Sequence, residues 1–148
     1  MAGDQNMDIT GAHQPLNPAT GTPQKKILVV DDNEIVVRTI TLKLQGAGYK
    51  AIPAKDGSEA VARVRTESPD LILLDISYPA EVSGMWDGFQ IMQWLHRLDA
   101  RKIPVIVITG SKEPEITARA IAAGAIAVFQ KPIENDDLLA AIRANLGS

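Results

Sequence analysis

The sequence predicts an α/β fold in which a parallel sheet is covered by helices on both faces. From Lys25 onward, short runs rich in Val, Ile and Leu alternate with segments whose apolar residues recur at helical spacing. The runs are apolar throughout, which is typical of parallel strands buried on both faces. The chain has 148 residues, a length that suits one domain with its own core.

The strands are short apolar runs with high β propensity, and their boundaries are approximate. They are predicted at about 26–30, 49–53, 70–74, 104–109 and 125–129.

The helices are recognised by apolar stripes and by glycine or proline at their ends. They are predicted at about 34–46, 57–66, 87–98, 114–123 and 134–146. Right-handed crossovers then favour a flavodoxin-like (βα)5 doubly wound parallel sheet with strand order 2-1-3-4-5. The apolar stripes of four of these helices comprise Val36, Ile40 and Leu44; Ala60, Val61 and Val64; Ile91, Leu95 and Leu98; and Leu138, Ile142 and Leu146.

Composition narrows the class of protein. The apolar fraction of 45% and charged fraction of 22% are those of an ordinary globular protein. A net charge of −3 without a basic run argues against nucleic-acid binding, and no apolar stretch is long enough to span a bilayer. The absence of cysteine excludes disulfides and fits a cytoplasmic protein. Residues 1–24 are rich in Pro, Gly and small polar residues, which predicts a flexible tail before a domain at 25–148.

Polar residues follow or end four of the predicted strands. Asp31 and Asp32 follow the first strand, Asp75 the third, Thr109 ends the fourth and Lys131 follows the fifth. Carboxyl ends of parallel strands share one edge of the sheet, where ligands bind. Two carboxylates about 4 Å apart repel by roughly 4 kcal/mol at an effective dielectric of 20, so this cluster needs a counterion. Oxygen ligands of this kind favour Mg²⁺.

A carboxylate that faces both a metal and an ammonium is able to attack phosphorus and form an aspartyl phosphate. Taken singly, each motif has an ordinary explanation, such as a helix N-cap for the aspartate pair or a surface charge for the lysine. The order and spacing of all of them together resemble the response-regulator receiver domains of two-component signalling, over roughly residues 25–147.

The resemblance implies roles for individual residues. It implies that Asp75 is the phosphoacceptor, that Asp32 binds Mg²⁺ directly and Asp31 through water, and that the Ser77 carbonyl also faces the metal. By the same resemblance, Thr109 and Lys131 bind the phosphoryl group. The peptide bond between Lys131 and Pro132 is expected to be cis, since X-Pro is the bond that tolerates this isomer.

Two features depart from the family pattern. An insertion at residues 80–86, which includes Trp86, lengthens the loop before Asp87-Gly88. It suits either a lid or partner contact, or a solvated loop without function. Three residues before the lysine, where the family usually has an aromatic switch residue, this chain has Val128; strand alternation puts Phe129 on the opposite face.

The resemblance implies a stand-alone phosphoacceptor that receives its phosphoryl group from a histidine kinase or phosphotransfer protein and then changes its contacts with a downstream protein. Its partner face is expected to comprise the helices at 114–123 and 134–146 with the last strand. It is not expected to be an enzyme beyond catalysing its own phosphorylation and dephosphorylation. Two alternatives stay open: a Mg²⁺-dependent phosphohydrolase that uses Asp75, and an unphosphorylated docking module. The downstream target and the oligomeric state are not specified by the sequence.

Overall fold

The structure is a computed structural model, and it describes residues 24–76, 92–93, 97, 103–110, 112–133 and 135–146. Several sequence predictions lie outside these residues. They concern the tail up to residue 23, the insertion at 80–86, Ser77, and the inward-facing residues of the helix predicted at 87–98. Within that helix, the described residues Met92, Gln93 and Arg97 are helical, and the Met92 side chain is fully buried.

The described chain contains five strands and four helices, at bounds within two residues of those predicted. In chain order they are β1 (Lys26–Val30), α1 (Glu34–Gly46), β2 (Lys50–Ala54), α2 (Gly57–Glu67), β3 (Leu71–Asp75), β4 (Val105–Thr109), α3 (Pro114–Ala122), β5 (Ala127–Gln130) and α4 (Asn135–Leu146).

The strands form one parallel sheet in the order β2-β1-β3-β4-β5, which confirms the predicted 2-1-3-4-5 topology. The register aligns the strand ends, because Val30 of β1 pairs with Leu74 of β3 and Asp75 of β3 pairs with Ile108 of β4. The residues that follow these positions therefore lie along the same edge of the sheet.

Each face of the sheet carries its own hydrophobic core, because successive side chains of a strand point to opposite faces. On one face, residues of the three central strands pack with Ala60 and Val64 of α2, with Met92 and with Ala120 of α3. On the other, the alternate strand residues pack with Ile40 and Leu44 of α1 and with Leu138 and Ile142 of α4. The doubly wound architecture follows from this alternation. Among the described residues of the predicted stripes, Val36, Val61 and Leu146 are only half-buried, and of these Val36 and Leu146 pack against the second core.

Helix α1 begins at Glu34, and Asn33, which lies between the aspartate pair and the helix, caps its N-terminus. The Asn33 side chain accepts hydrogen bonds from the backbone N–H groups of Ile35 at 2.9 Å and Val36 at 3.2 Å. This satisfies two of the donors that a helix N-terminus otherwise leaves unpaired. At the other end, Gly48 adopts a φ of 97°, a left-handed conformation that glycine tolerates without cost. Asn33, rather than Asp31 or Asp32, is therefore the N-cap.

No helix in the part of the chain that the structure describes combines the length and apolar character needed to cross a bilayer.

Candidate functional site

Three polar side chains are buried where strands end, although burial of such groups is costly unless they are paired. Asp31 is 3% exposed, Asp75 is 3% exposed and Thr109 is 1% exposed. Asp75 and Thr109 are the last residues of β3 and β4, so these two belong to the strands. The backbone N–H of Asp31 donates to Ala54 O at 3.0 Å, which ties the residue after β1 to β2. The sheet itself therefore fixes the main chain of this site.

Three carboxylates converge at this edge. Asp31, Asp32 and Asp75 each have an oxygen that lies within 4.8 Å of the oxygens of the other two. Asp31 and Asp75 are buried, whereas Asp32 is exposed at the rim. The acidic cluster thus combines two fixed carboxylates with one that faces solvent.

Lys131 reaches into the acidic cluster from the loop after β5. Its ammonium Nζ lies 2.9 Å from Asp75 Oδ2 and 3.5 Å from Asp31 Oδ2, and its side chain is 28% exposed. The backbone N–H of Lys131 donates to Thr109 O at 2.8 Å, so the loop is attached to the end of β4. The peptide bond between Lys131 and Pro132 is cis, as the sequence predicts.

The electrostatics of the acidic cluster are unbalanced. The pKa of Asp31 is raised from 3.8 to about 7, chiefly by burial and also by the neighbouring Asp75, while the Asn33 N–H and Lys131 oppose the shift. Burial alone lowers the pKa of Lys131, but its hydrogen bond to Asp75 and the charges of Asp75 and Asp31 outweigh that effect and raise it. Lys131 therefore stays protonated, and one ammonium faces three carboxylates.

The donor set fits a hard divalent cation. When all three carboxylates are ionised, they and the Lys131 ammonium carry a local charge of −2, which a dication neutralises. Burial makes that charge costly without a cation, as the raised pKa of Asp31 shows. Carboxylate oxygens are the ligands that Mg²⁺ prefers, and Asp31, Asp32 and Asp75 would hold the ion. The exposed position of Asp32 leaves room for the waters that Mg²⁺ usually retains. The described residues therefore offer the donor set of a Mg²⁺ site.

A cleft of about 570 Å³ opens beside the acidic cluster, between α1 and the connection from β2 to α2. Its lining includes Asp31, Asp32, Arg38 of α1 and Lys55, with Pro53 among the apolar residues of its wall. A ligand is able to reach two of the three carboxylates from this side.

The structure brings together all the predicted site residues that it describes, because Asp31, Asp32, Asp75 and Lys131 form one cluster and Thr109 adjoins Lys131 through its backbone. The predicted Ser77 ligand lies outside the described residues. Asn33 was missed as a site neighbour, although its backbone N–H donates to Asp31 Oδ1 at 2.9 Å. The signal that was available is its residue type, since Asn directly before a helical pattern favours an N-cap.

The predicted departure at β5 is present in the structure. Val128 packs against the core that includes Val107, whereas Phe129 packs against the opposite core. Thr109 lies two residues after Val107 in β4, so both side chains are on the same face of the sheet. Val128 pairs with Val107, so Val128 and not Phe129 lies on the Thr109 side of the sheet.

Comparison with known proteins identifies the chain. The profile of the response regulator receiver domain matches residues 27–143. The chain belongs to the response regulator receiver family. This receiver domain is a phosphoacceptor module of two-component signalling. Members of its family are signalling modules rather than classical enzymes. The comparisons do not favour the phosphohydrolase or the unphosphorylated docking module.

The relatives differ in how much of their length the receiver covers. The chain is 34% identical over 124 residues to the polar-differentiation response regulator DivK of Brucella anthropi, covering 83% of this chain and 97% of that protein. It is 34% identical over 122 residues to the alkaline phosphatase synthesis transcriptional regulatory protein PhoP of Bacillus subtilis, covering 82% of this chain but 48% of that protein. The receiver thus spans nearly all of one relative and about half of the other.

Solved structures show the same fold. The chemotaxis protein CheY4 of Vibrio cholerae has a TM-score of 0.73 at 27% identity, covering 83% of this chain and 99% of that one. A CheY-like response regulator receiver domain protein of Methanospirillum hungatei has a TM-score of 0.72 at 30% identity, covering 82% and 92%. The family assignment and the sheet topology therefore agree.

Proposed function

We propose that Asp75 is the residue that accepts the phosphoryl group, assisted by Lys131 and Thr109, with Asp31, Asp32 and the Ser77 carbonyl as the metal-binding residues. The observation that carries the proposal is the contact of 2.9 Å between Lys131 Nζ and Asp75 Oδ2 inside a cluster of three carboxylates. A buried carboxylate paired with an ammonium and adjacent to a cation site has the surroundings of an activated nucleophile.

The transfer follows from the chemistry of these groups. An Asp75 carboxylate oxygen attacks the phosphorus of a phosphohistidine, so a P–O bond forms while the P–N bond breaks. The imidazole leaves with the electron pair of the broken bond and takes up a proton from solvent. Lys131 neutralises charge on the phosphoryl oxygens, and the Thr109 hydroxyl donates a hydrogen bond to one of them. When bound, Mg²⁺ supplies further neutralisation of the phosphoryl oxygens.

Positioning supports these assignments. Asp75 and Thr109 lie at the ends of adjacent strands, and Lys131 is tied to β4 through its backbone hydrogen bond to Thr109 O. Groups held in place by a sheet lose little entropy when the substrate binds, which is how positioned groups contribute to phosphoryl transfer.

The direct test is phosphorylation of the full chain by acetyl phosphate with Mg²⁺, followed by intact mass. We expect the wild-type chain to gain the mass of one phosphoryl group, and Asp75→Asn to gain none. Asp136→Asn makes the same chemical change at an exposed aspartate of α4 and serves as the matched control, which we expect to be labelled like wild type. Equal labelling of Asp75→Asn and wild type would place the phosphoacceptor elsewhere. EDTA removes Mg²⁺ and should abolish labelling of both the wild-type chain and Asp136→Asn.

The proposed donor is a histidine kinase or a phosphotransfer protein, and we infer that it approaches over α1. Ile35 is 77% exposed and Leu42 is 64% exposed, and a spacing of seven residues puts both on one face of this helix. The helix begins beside the acidic cluster, so a protein seated on this face is within reach of Asp75. Such a donor presents its phosphohistidine in the cytoplasm, which is the compartment that we propose for this receiver.

The proposed output surface consists of α3, β5 and α4, and its partner is a downstream protein. β5 is an edge strand of the sheet, and Ile121 at the end of α3 is 51% exposed. Lys131 directly follows β5, so a change at the phosphoryl group acts close to this surface. Because Val128 replaces the usual aromatic, we propose that displacement of the Thr109 region moves α3 without an aromatic side-chain switch.

A further inference from the structure

We propose that Asn33 is a positioning residue, which holds the Asp31 carboxylate in its cation-binding orientation by capping helix α1. The inference rests on the proposed metal site and concerns a residue without a role in that proposal. It joins two features that are usually treated separately, the start of a helix and the geometry of a metal ligand.

The contacts form a continuous chain from the helix to the carboxylate. The Asn33 backbone N–H donates to Asp31 Oδ1 at 2.9 Å. The Asn33 side-chain oxygen accepts from the N–H groups of Ile35 and Val36, and its backbone oxygen accepts from Val37 N at 3.0 Å. One residue thus contacts the first turn of α1 through its side chain and Asp31 through its main chain.

The geometry leaves Asp31 one orientation. Its main chain is attached to β2 through the hydrogen bond to Ala54 O, and its Oδ1 is attached to the Asn33 N–H. Its Oδ2 consequently faces Lys131 at 3.5 Å, on the side where the other carboxylates converge. Since the main-chain position of Asn33 depends on its cap, loss of the side chain frees both the first turn and the donor that orients Asp31.

The magnitude follows from the behaviour of groups that orient metal ligands. Loss of such a partner weakens metal binding by about 10- to 100-fold. Asn33→Ala keeps the backbone N–H but loosens its position, so we expect a loss at the lower end, about tenfold. Asn33→Ser retains a capping oxygen and should restore both the helix start and the metal affinity.

The chain offers a matched control in Asp56, the N-cap of α2. The Asp56 side chain accepts from Glu59 N at 2.8 Å, and Asp56 is not part of the acidic cluster. Asp56→Ala removes one cap from a helix of similar length, so it should lower thermal stability about as much as Asn33→Ala. It should leave the affinity for Mg²⁺ unchanged.

The experiment measures Mg²⁺ binding by isothermal titration calorimetry and thermal unfolding in EDTA. It compares the wild-type chain with Asn33→Ala, Asn33→Ser and Asp56→Ala. We expect both Ala variants to melt at lower temperature and only Asn33→Ala to bind Mg²⁺ about tenfold more weakly. Its phosphorylation by acetyl phosphate should need more Mg²⁺ for half the maximal rate, with the rate at saturating Mg²⁺ preserved. Equal affinities for Asn33→Ala and Asp56→Ala would overturn the inference while leaving the metal site intact. Failure of the wild-type chain to bind Mg²⁺ would overturn the proposed metal site and this inference with it.

Discussion

Lys131 Nζ lies 2.9 Å from Asp75 Oδ2, and the same ammonium is 3.5 Å from Asp31 Oδ2. One cation therefore bridges the carboxylate proposed to react and a carboxylate proposed to bind metal. The ammonium neutralises negative charge near Asp75, which assists phosphoryl transfer, but the same neutralisation weakens the attraction of the acidic cluster for Mg²⁺. Lys131 thus assists transfer and competes with the metal for the same oxygens.

Lys131→Gln should separate these two effects. Loss of a positioned charge that neutralises phosphoryl oxygens should slow phosphorylation by acetyl phosphate about 10²-fold. Mg²⁺ should bind at least as tightly as in wild type, because the local charge becomes more negative. Phosphorylation rates by intact mass and Mg²⁺ titration by calorimetry give the two values, and Lys25→Gln at an exposed lysine is the control. A large loss of Mg²⁺ affinity in Lys131→Gln would contradict this division of roles.

The Thr109 hydroxyl has a predicted role that a matched pair of substitutions isolates. Thr109→Ser keeps the hydroxyl and removes a methyl group, whereas Thr109→Val keeps the shape and removes the hydroxyl. We expect Thr109→Ser to be phosphorylated nearly as fast as wild type and Thr109→Val about tenfold or more slowly. The initial rate of mass gain with acetyl phosphate is the measurement. Equal rates for the two variants would assign Thr109 a packing role only.

The fold was largely predictable because its determinants are local. β3 reads as Leu-Ile-Leu-Leu before Asp75, and a run this apolar has few alternatives to a strand buried on both faces. The largest boundary error is at β5, predicted from residue 125 and observed from Ala127. Gly124 adopts a φ of 110°, and the backbone N–H of Ala125 donates a hydrogen bond to Ala120 O. The turn after α3 therefore extends further than hydrophobicity alone indicates.

The site was predictable in composition but not in its contacts. Parallel strand ends share an edge, which is why Asp31, Asp75 and Lys131 were expected to meet. The difference between the buried Asp31 and the exposed Asp32 depends on how the chain turns into α1, and periodicity carries no information about it. The capping by Asn33 belongs to the same turn. Hydrogen bonds between residues two apart, such as Asn33 N–H to Asp31 Oδ1, depend on the conformation of this turn and are not encoded in the hydrophobic pattern.

Ser68 offers a prediction about stability that is independent of the site. It ends α2 in a left-handed conformation, with φ 49° and ψ 62°, which costs a non-glycine residue about 1–2 kcal/mol. Ser68→Gly should raise the free energy of unfolding by about 0.5–1 kcal/mol after the greater entropy of unfolded glycine is included. Thermal unfolding should show a midpoint about 2 °C higher. Ser58→Gly, inside the same helix, should lower stability instead. A lower midpoint for Ser68→Gly would mean that its side chain contributes more than the backbone cost.

Asp31 links stability to pH with a defined sign. Its pKa is raised by burial from 3.8 to about 7, so between these values the folded chain binds more protons at this site than the unfolded chain. Asp31 therefore lowers the free energy of unfolding as pH rises from about 4 to about 7. In EDTA, Asp31→Asn should lack this dependence and should melt above wild type at pH 8, with a smaller difference at pH 5.

Excess Mg²⁺ should reverse the order at pH 8. A ligand that binds only the folded state stabilises it by mass action, and wild type keeps all three carboxylates whereas Asp31→Asn loses one. The measurement is the thermal midpoint of wild type and Asp31→Asn at pH 8, in EDTA and in excess Mg²⁺. Asp31→Asn should melt above wild type in EDTA and below it in Mg²⁺. The control Asp136→Asn removes a charge from the first turn of α4 and should therefore differ from wild type by the same amount with and without Mg²⁺. If Asp31→Asn melted below wild type in EDTA at pH 8, the buried carboxylate would be stabilising the fold, and the charge imbalance that calls for a cation would be absent.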